Sequence, residues 1–321
     1  MSGIFMTTID LYTTFRIQFV LRYGHLSKFY IWDSGILMAP DTLPEHKVVS
    51  EHEKISLFTT LIYQSCYLQA PSRVLSGVLV STAGSGKTMN LAKFRHERHV
   101  YYTNVISPKH LVDFFKKVDV KNKLMMVIPD FLTVTDGNKT TRDNIIKLLR
   151  VVTEEGIDDV SHYGYPEIHF NNPVRAGLLT ATTMDNMNEF KRVWKNNGFL
   201  SRLLPFSYSL GNESRDRIQK RIKNVESLKE REYKVILSRK VINRSPKKID
   251  LPEILSYRLD PVALKLSDIT GSINAPFRQE KQIYTLAKAH CALRRSDTVN
   301  EIDINAILSL SDNINLGFNS I

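Results

Sequence analysis

The sequence is poor in cysteine and has no long apolar run, and each absence excludes a class of protein. Of 321 residues, only Cys66 and Cys291 are cysteines, too few for a metal-binding quartet or a disulfide framework, so we expect free thiols in a reducing compartment. No uninterrupted run of about 18 apolar residues occurs, which argues against a membrane span. Asp10, Arg16 and Arg22 interrupt the N-terminal apolar stretch, so it lacks the order of a signal peptide. We therefore expect a soluble protein inside the cell, with no membrane partner.

Extremes of composition are also absent. Hydrophobic residues make up 42% of the chain and charged residues 24%, which is ordinary for a globular protein and excludes disordered and collagen-like chains. No internal repeat and no low-complexity tract is present. The length exceeds one comfortable hydrophobic core, so it predicts two or three domains.

Positive charge is abundant and unevenly distributed. The formal net charge is +11, and the segment 211–250 carries 13 Lys and Arg against 6 Asp and Glu, which is +7 of that total. An excess of basic residues can attract phosphate polymers or membrane surfaces. A solvated helix face joined to a basic linker is an equally good interpretation of this segment.

Apolar patterns alternate between strand and helix over residues 49–210. Predicted strands lie at 78–80, 101–106, 124–128 and 177–181. Predicted helices lie at 50–68, from 87 onward, from 107 through 115 and at 140–152, the first opening with a capping box from Ser50 to Glu53. This alternation predicts an α/β core with a parallel sheet covered on both faces.

The two ends of the chain differ in character from this core. Residues 1–48 are aromatic and basic and predict a small N-terminal arm or domain. Residues 211–321 begin with the basic segment and continue with helical patterns, the clearest at 278–293, so they predict a basic connector and an all-helical domain.

One motif carries specific chemistry. Residues 81–88 are STAGSGKT, which matches the phosphate-binding P-loop except that its first glycine is serine. Glycines let successive backbone amides converge on an anion, the lysine reaches the terminal phosphates, and the following hydroxyl binds Mg²⁺. An ordinary strand-to-helix turn is the alternative. The pattern predicts binding of ATP with Mg²⁺ by Ser81, Gly84, Ser85, Gly86, Lys87, Thr88 and Met89.

An acidic residue follows the third predicted strand. Asp130 follows the apolar run 124–128 and Pro129, where it would hold the same Mg²⁺ as Thr88, although it can instead cap the next turn. Phe131 stands where many P-loop ATPases carry the glutamate that activates water. The sequence therefore leaves the general base of hydrolysis unassigned.

Beyond the P-loop, the chain resembles the AAA+ ATPases over roughly residues 50–315. Segments similar to the branch that includes enhancer-binding activators, MoxR-like ATPases and minichromosome-maintenance helicases lie at 148–151, 154–156, 174–175 and 178–183. The resemblance implies a β-hairpin at about 158–170. It also implies that Thr182 or Thr183 contacts the γ-phosphate as the sensor-1 residue, and we choose Thr183.

The same resemblance implies functional roles for two arginines. The segment 198–204 is similar to the arginine-finger segment of the minichromosome-maintenance helicases, which implies that Arg202 completes the site of a neighbouring subunit in a ring, a hexamer by resemblance. Segments 277–282, 287–290 and 298–303 resemble the helical lid, which implies that Arg278 is the sensor-2 arginine. The alternatives are a surface ion pair for Arg202 and an ordinary helix residue for Arg278.

Three functions remain open at this point. The resemblance implies a cytoplasmic or nucleoid-associated ATPase ring that remodels or translocates DNA or a nucleoprotein complex in replication, recombination or transposition. The hairpin contains Tyr163 and Tyr165 but no lysine, which favours a MoxR-like ATPase acting on a protein. Phe131 favours a scaffold that binds ATP and hydrolyses it poorly.

Overall fold

The computed structural model describes residues 30–32, 35–37, 51–70, 72–121, 124–160, 168–209, 211, 242–245, 247–272 and 276–317. The chain divides into two compact units, residues 1–49 and 50–321. In the first unit, strand β1 (Tyr30–Trp32) pairs antiparallel with β2 (Gly35–Leu37). The predicted capping box at Ser50 and most of the basic segment lie outside the described residues.

The second unit is built on a five-stranded sheet with the order β4-β5-β8-β3-β9. Its strands are β3 (Gly77–Ser81), β4 (Val100–Tyr102), β5 (Met125–Ile128), β8 (Gly177–Thr183) and β9 (Leu204–Ser207). Every neighbouring pair is parallel, which confirms the predicted α/β class. The strand predicted at 101–106 is wrong at its end, because the hydroxyl of Thr103 donates to the carbonyl of Val105 and turns the chain away from the sheet.

Helices connect the strands and follow the last one. They are α1 (Glu51–Gln64), α2 (Lys87–Ala92), α3 (Pro108–Lys121), α4 (Leu132–Thr135), α5 (Lys139–Val152), α6 (Met184–Asn196), α7 (Glu253–Ser256), α8 (Asp260–Thr270), α9 (Phe277–Leu293) and α10 (Glu301–Leu310). The first was predicted to reach residue 68, but it ends four residues earlier and continues as a short 3₁₀ turn, Ser65–Tyr67. Asn138 caps α5 by accepting from the amide of Thr141.

Side chains alternate between the two faces of the sheet, and each face is buried. On β3, Val78 and Val80 pack with the core formed by α3, α5 and α6, whereas Leu79 packs with the core formed by α1, α8, α9 and α10. Burial of both faces explains why the central strands are almost continuously apolar. The helices after residue 251 therefore share one core with α1 and one face of the sheet.

The predicted hairpin is present before β8. Its strands β6 (Ile157–Val160) and β7 (Ile168–Val174) pair antiparallel. Its tip, with Tyr163 and Tyr165, lies outside the described residues. None of the helices in the described ranges is long and apolar enough to cross a membrane.

Candidate functional site

The P-loop connects the end of β3 to the start of α2. Gly84 has φ +73° and Gly86 has φ +78°, a conformation that L side chains rarely adopt and glycine adopts freely. A Cβ atom added at either glycine would meet nothing within 4 Å. The loop therefore has an open outer surface, and Thr82 and Thr88 are exposed on it.

The side chain of Lys87 folds back onto this loop. Its Nζ donates to the carbonyl oxygens of Ser81 at 2.9 Å and Thr82 at 2.6 Å, and to Oγ of Ser85 at 3.3 Å. Burial lowers the pKa of the Lys87 ammonium, and the charge of Asp130 opposes that shift. An anion in the loop would give the ammonium stronger acceptors than these neutral oxygens.

Asp130 and Thr183 lie at the same edge of the sheet as the P-loop. Asp130 follows β5, and Thr183 ends β8, where it pairs in register with Ser81 of β3. Carboxyl ends of parallel strands share one edge, so these residues join Lys87 and Thr88 there. Both also cap the turn that follows: Asp130 Oδ1 accepts from the amide of Leu132 at 3.0 Å, and Thr183 Oγ1 accepts from the amide of Asn186 at 3.2 Å.

The two threonines at the end of β8 have different surroundings. Thr182 is buried and donates to Oδ1 of Asn186 at 2.7 Å, whose Nδ2 donates to Thr135 at 3.0 Å. The hydroxyl of Thr182 is thus committed to the core, whereas Thr183 stands at the start of α6. Sequence analysis missed Asn186 because no motif marks it.

Phe131 belongs to the core. Its side chain is 1% exposed and lies against Trp194 and Phe199, with ring centroids 5.4 and 5.9 Å away. Its amide donates to the carbonyl of Ala181 at 2.8 Å, which fixes this orientation. A carboxylate at position 131 would be placed among aromatic rings, so this position cannot supply a general base.

A buried tyrosine that sequence analysis did not identify forms a hydrogen bond to the P-loop. The hydroxyl of Tyr208, just after β9, donates to the carbonyl of Ser85 at 3.2 Å and lies 3.5 Å from its Oγ. Burial raises the pKa of Tyr208 to about 12, so the phenol stays neutral and able to donate. No sequence signal identifies this contact, because it joins residues more than a hundred positions apart.

The two predicted site arginines lie at the opposite edge of the sheet. Arg202 precedes β9, whose first amide, that of Leu204, donates to the carbonyl of Ser76 just before β3. Arg278 donates to Oγ of Ser201, next to Arg202, at 2.6 Å. The length of β3 separates this amino edge from the P-loop by about 15 Å, given the rise per residue of a strand. Neither arginine is brought to Lys87 of the same chain.

Both arginines are paired with acidic residues of the turn after α5. Arg202 is 9% exposed, with Nε 3.1 Å from Oε2 of Glu154 and Nη2 2.8 Å from Oε1 of Glu155. It also donates to the carbonyl oxygens of Arg150 at 3.0 Å and Gly198 at 2.6 Å. Arg202 therefore joins the ends of α5 and α6 within its own chain.

Comparisons with known proteins add no family to this geometry: no protein-family model matches the chain, and no curated protein shows significant similarity to it. The candidate residues form two groups, a P-loop group at the carboxyl edge of the sheet and an arginine group at the amino edge.

Proposed function

We propose that this chain binds ATP with Mg²⁺ at residues 81–88 and hydrolyses it as an ATPase of the AAA+ type. One observation carries the proposal: the STAGSGKT segment joins a buried parallel strand to a helix, with Gly84 and Gly86 both at positive φ. That is the context in which such a loop directs its amides at a phosphate chain.

The residues at the carboxyl edge fit this substrate. Lys87 would exchange its loop carbonyls for the β- and γ-phosphate oxygens, while exposed Thr88 and Asp130 supply the oxygen ligands that Mg²⁺ prefers. Bound Mg²⁺ would neutralise charge on the phosphates. Thr183 would contact the γ-phosphate, and exposed Met89, 59% accessible, stands next to the loop.

The position of the arginines supports a site completed by a second copy. Arg202 and Arg278 lie at the edge opposite to Lys87, so each would act on the nucleotide of a neighbour. The resemblance then suggests a ring, a hexamer, with α7–α10 as the lid and residues 1–48 as an accessory arm.

Charge supports a nucleic-acid client. The segment 211–250 carries +7 of the +11 net charge, 13 basic residues against 6 acidic ones, and a phosphate backbone is the polymer that such a segment attracts. We propose that hydrolysis serves the remodelling or translocation of DNA or a nucleoprotein complex, in replication, recombination or transposition.

The environment of Phe131 favours a second candidate function. Phe131 stands at the position of the glutamate that activates water in many P-loop ATPases, so this chain lacks that glutamate. Its ring is buried against Trp194 and Phe199, so the side chain at this position faces the core and not the P-loop. A scaffold that assembles on ATP and turns it over slowly is consistent with this arrangement.

Steady-state ATP hydrolysis tests these functions together. The purified chain is assayed alone, with single-stranded and with double-stranded DNA, and Lys87→Ala is the blank. Stimulation by DNA supports the nucleic-acid motor. Hydrolysis indifferent to DNA favours a protein client of the MoxR type, and a rate equal to the blank, with ATP still bound, favours the scaffold.

A further inference from the structure

A short segment after helix α10 connects the ends of two strands of the sheet. This segment, the strap, comprises residues 313–317. The amide of Ser207, at the end of β9, donates to the carbonyl of Asn313 at 2.7 Å, and Nδ2 of Asn313 donates to the carbonyl of Ser207 at 3.0 Å. The hydroxyl of Ser207 also donates to Oδ1 of Asn315. These hydrogen bonds fix the start of the strap to the carboxyl end of β9.

The other end of the strap lies against the carboxyl end of β8. Gly317 has φ +81°, and a Cβ atom added there would lie 2.6 Å from Cε of Met184 and 3.4 Å from Cβ of Ser207. Met184 directly follows Thr183, the last residue of β8. Glycine is the residue that fits both the positive φ and this narrow gap.

Between its two ends the strap crosses the end of the P-loop strand. Ile314 belongs to the core that contains α1, whereas Leu316 packs against the core on the other face of the sheet. Strand β3 lies between β8 and β9, so the strap passes over the carboxyl end of β3, where the P-loop begins. Two strand spacings amount to about 10 Å, a distance that a chain of four residues covers.

The strap contacts the direct neighbours of two residues of the P-loop group. Met184 is adjacent to Thr183, and Ser207 is adjacent to Tyr208. The hydroxyl of Tyr208 donates to the carbonyl of Ser85 in the P-loop at 3.2 Å. The strap therefore ties the end of β8, which carries Thr183, to the residues that support the P-loop. Because packed contacts deform little, this tie fixes the separation between the two.

Resting on the proposed function, we infer that the strap positions Thr183 relative to the P-loop and thereby makes the site prefer ATP over ADP. The γ-phosphate is the group that ADP lacks and that Thr183 would contact. A change in the gap between Thr183 and the P-loop consequently affects the binding of ATP more than that of ADP. Asn315 and Gly317 are positioning residues, because they act through Ser207 and Met184.

Calorimetric titration with two Mg²⁺-bound nucleotides tests this inference. One is ADP, and the other is the imido analogue of ATP, which is not hydrolysed between its β- and γ-phosphates. Gly317→Ala places a methyl group between Met184 and Ser207. We expect the ATP analogue to bind about fivefold more weakly to this variant, while the affinity for ADP stays within about twofold of wild type.

Gly271→Ala is the matched control for this substitution. Gly271 has nearly the same φ, +80°, but its neighbour is Lys195, at the end of α6 opposite to Met184. We expect similar falls in melting temperature for the two variants and an unchanged ratio of the two nucleotide affinities for Gly271→Ala. An unchanged ratio for Gly317→Ala, or equal changes in the two variants, would overturn the role of the strap.

Asn315→Ala loosens the strap without adding an atom. It removes the Oδ1 that accepts from the amide of Gly317 at 2.6 Å and from the hydroxyl of Ser207. We expect the same loss of preference for the ATP analogue. In a Thr183→Ala background, neither strap variant should change the ratio further, because the hydroxyl that the strap positions is gone. Full additivity of the strap variants with Thr183→Ala would overturn the route through Thr183.

Hydrogen exchange tests the strap in the reverse direction. Coupling between two sites is reciprocal, so a strap that favours the γ-phosphate is itself stabilised by the γ-phosphate. We expect the amides of Ser207 and Gly317 to exchange several-fold more slowly with the ATP analogue than with ADP. Equal exchange with the two nucleotides would contradict the coupling.

The wild-type chain separates the failure of this inference from the failure of the proposed function. If wild type binds neither nucleotide, the ATP site is refuted, and the inference about the strap with it. If wild type binds both and the strap variants leave the ratio unchanged, the ATP site stands and the role of the strap is refuted.

Discussion

Lys87 at the carboxyl edge of the sheet and Arg202 at its amino edge differ in the partners that hold their charged groups. At the carboxyl edge, the hydrogen bonds of Lys87 within the described part of the chain go to neutral loop oxygens, which a phosphate readily replaces. At the amino edge, Arg202 donates to two carbonyl oxygens and to Glu155, and it lies within ion-pair distance of Glu154. Nucleotide binding therefore needs only a small movement of the Lys87 side chain. An arginine that acts on the nucleotide of a neighbour must first give up an ion pair within its own chain.

Tyr208→Phe tests the support of the P-loop. Loss of the phenol removes the bond to the carbonyl of Ser85, and such a bond contributes about 1 kcal/mol. We expect ATP to bind about fivefold more weakly and the free energy of unfolding to fall by about 1 kcal/mol. Fluorescence titration and urea denaturation measure the two. Unchanged ATP affinity would show that Tyr208 does not position the loop.

Arg202→Ala separates a structural role from a role in turnover. The change leaves Glu154 with one partner fewer, so we expect the folded state to lose about 2–4 kcal/mol. At a temperature where the variant remains folded, ATP binding should persist while turnover falls about a hundredfold or more, the scale of a lost charge-neutralising arginine. Turnover at the wild-type rate would restrict Arg202 to its ion pairs.

The start of α10 is an element held by charge. Asn300 caps it, and Asp303 reaches back to the amide of Asn300 at 2.9 Å while bonding Arg294 at 2.7 and 2.6 Å and His290 at 2.7 Å. Burial opposes ionisation of Asp303, but these bonds outweigh it and keep its pKa below the usual value. The carboxylate thus stabilises the fold only while it is ionised.

Acid should therefore remove this contribution. A depressed pKa adds stability that is fully present above the unfolded value of about 3.9 and is lost as the pH falls through the lower folded value. We expect Asp303→Asn to lower the free energy of unfolding by about 2–4 kcal/mol at neutral pH, and by progressively less below pH about 4. Urea denaturation at neutral pH and at a pH below about 4 measures this loss of stability. Asp268→Asn, at an exposed position of α8, is the control. A loss that does not depend on pH would contradict the linkage.

Sequence patterns predicted most elements of the core because their signals are local. The glycines of the P-loop mark the start of α2 by their own conformational needs, and the apolar runs of β3, β5 and β8 mark buried strands. The end of β4 was wrong because a turn formed by Thr103 decides it, and such a turn leaves no periodic signal.

In the molecule as a whole, the contacts that the sequence did not predict join residues far apart in the chain. Lys87 and Asp130 were within reach of sequence analysis because each follows an apolar strand pattern, whereas Thr183 was chosen only through the resemblance. The pairing of Glu154 with Arg278 joins residues 124 positions apart, and only the fold brings them together. The same holds for Tyr208 beneath the P-loop.

Interaction with DNA is also a property of the whole molecule, because it depends on summed charge. With +7 concentrated in residues 211–250, we expect the DNA affinity of the chain to fall steeply with salt, linearly on a double-logarithmic plot. Substitution of glutamine for Arg215, Arg217, Lys220 and Arg221 should reduce the slope and the affinity together. An affinity that is independent of salt would exclude a phosphate-binding role for this segment.

Equilibrium binding of Mg²⁺–ATP to the purified chain tests the central claim most directly. Wild type, Lys87→Ala and a control variant, Lys147→Ala on the exposed face of α5, are titrated side by side. We predict that wild type and Lys147→Ala bind alike, whereas Lys87→Ala binds at least about tenfold more weakly, a loss of ~1.4 kcal/mol. Equal binding by Lys87→Ala and wild type, or no binding by either, would contradict the assignment of residues 81–88 as the ATP site.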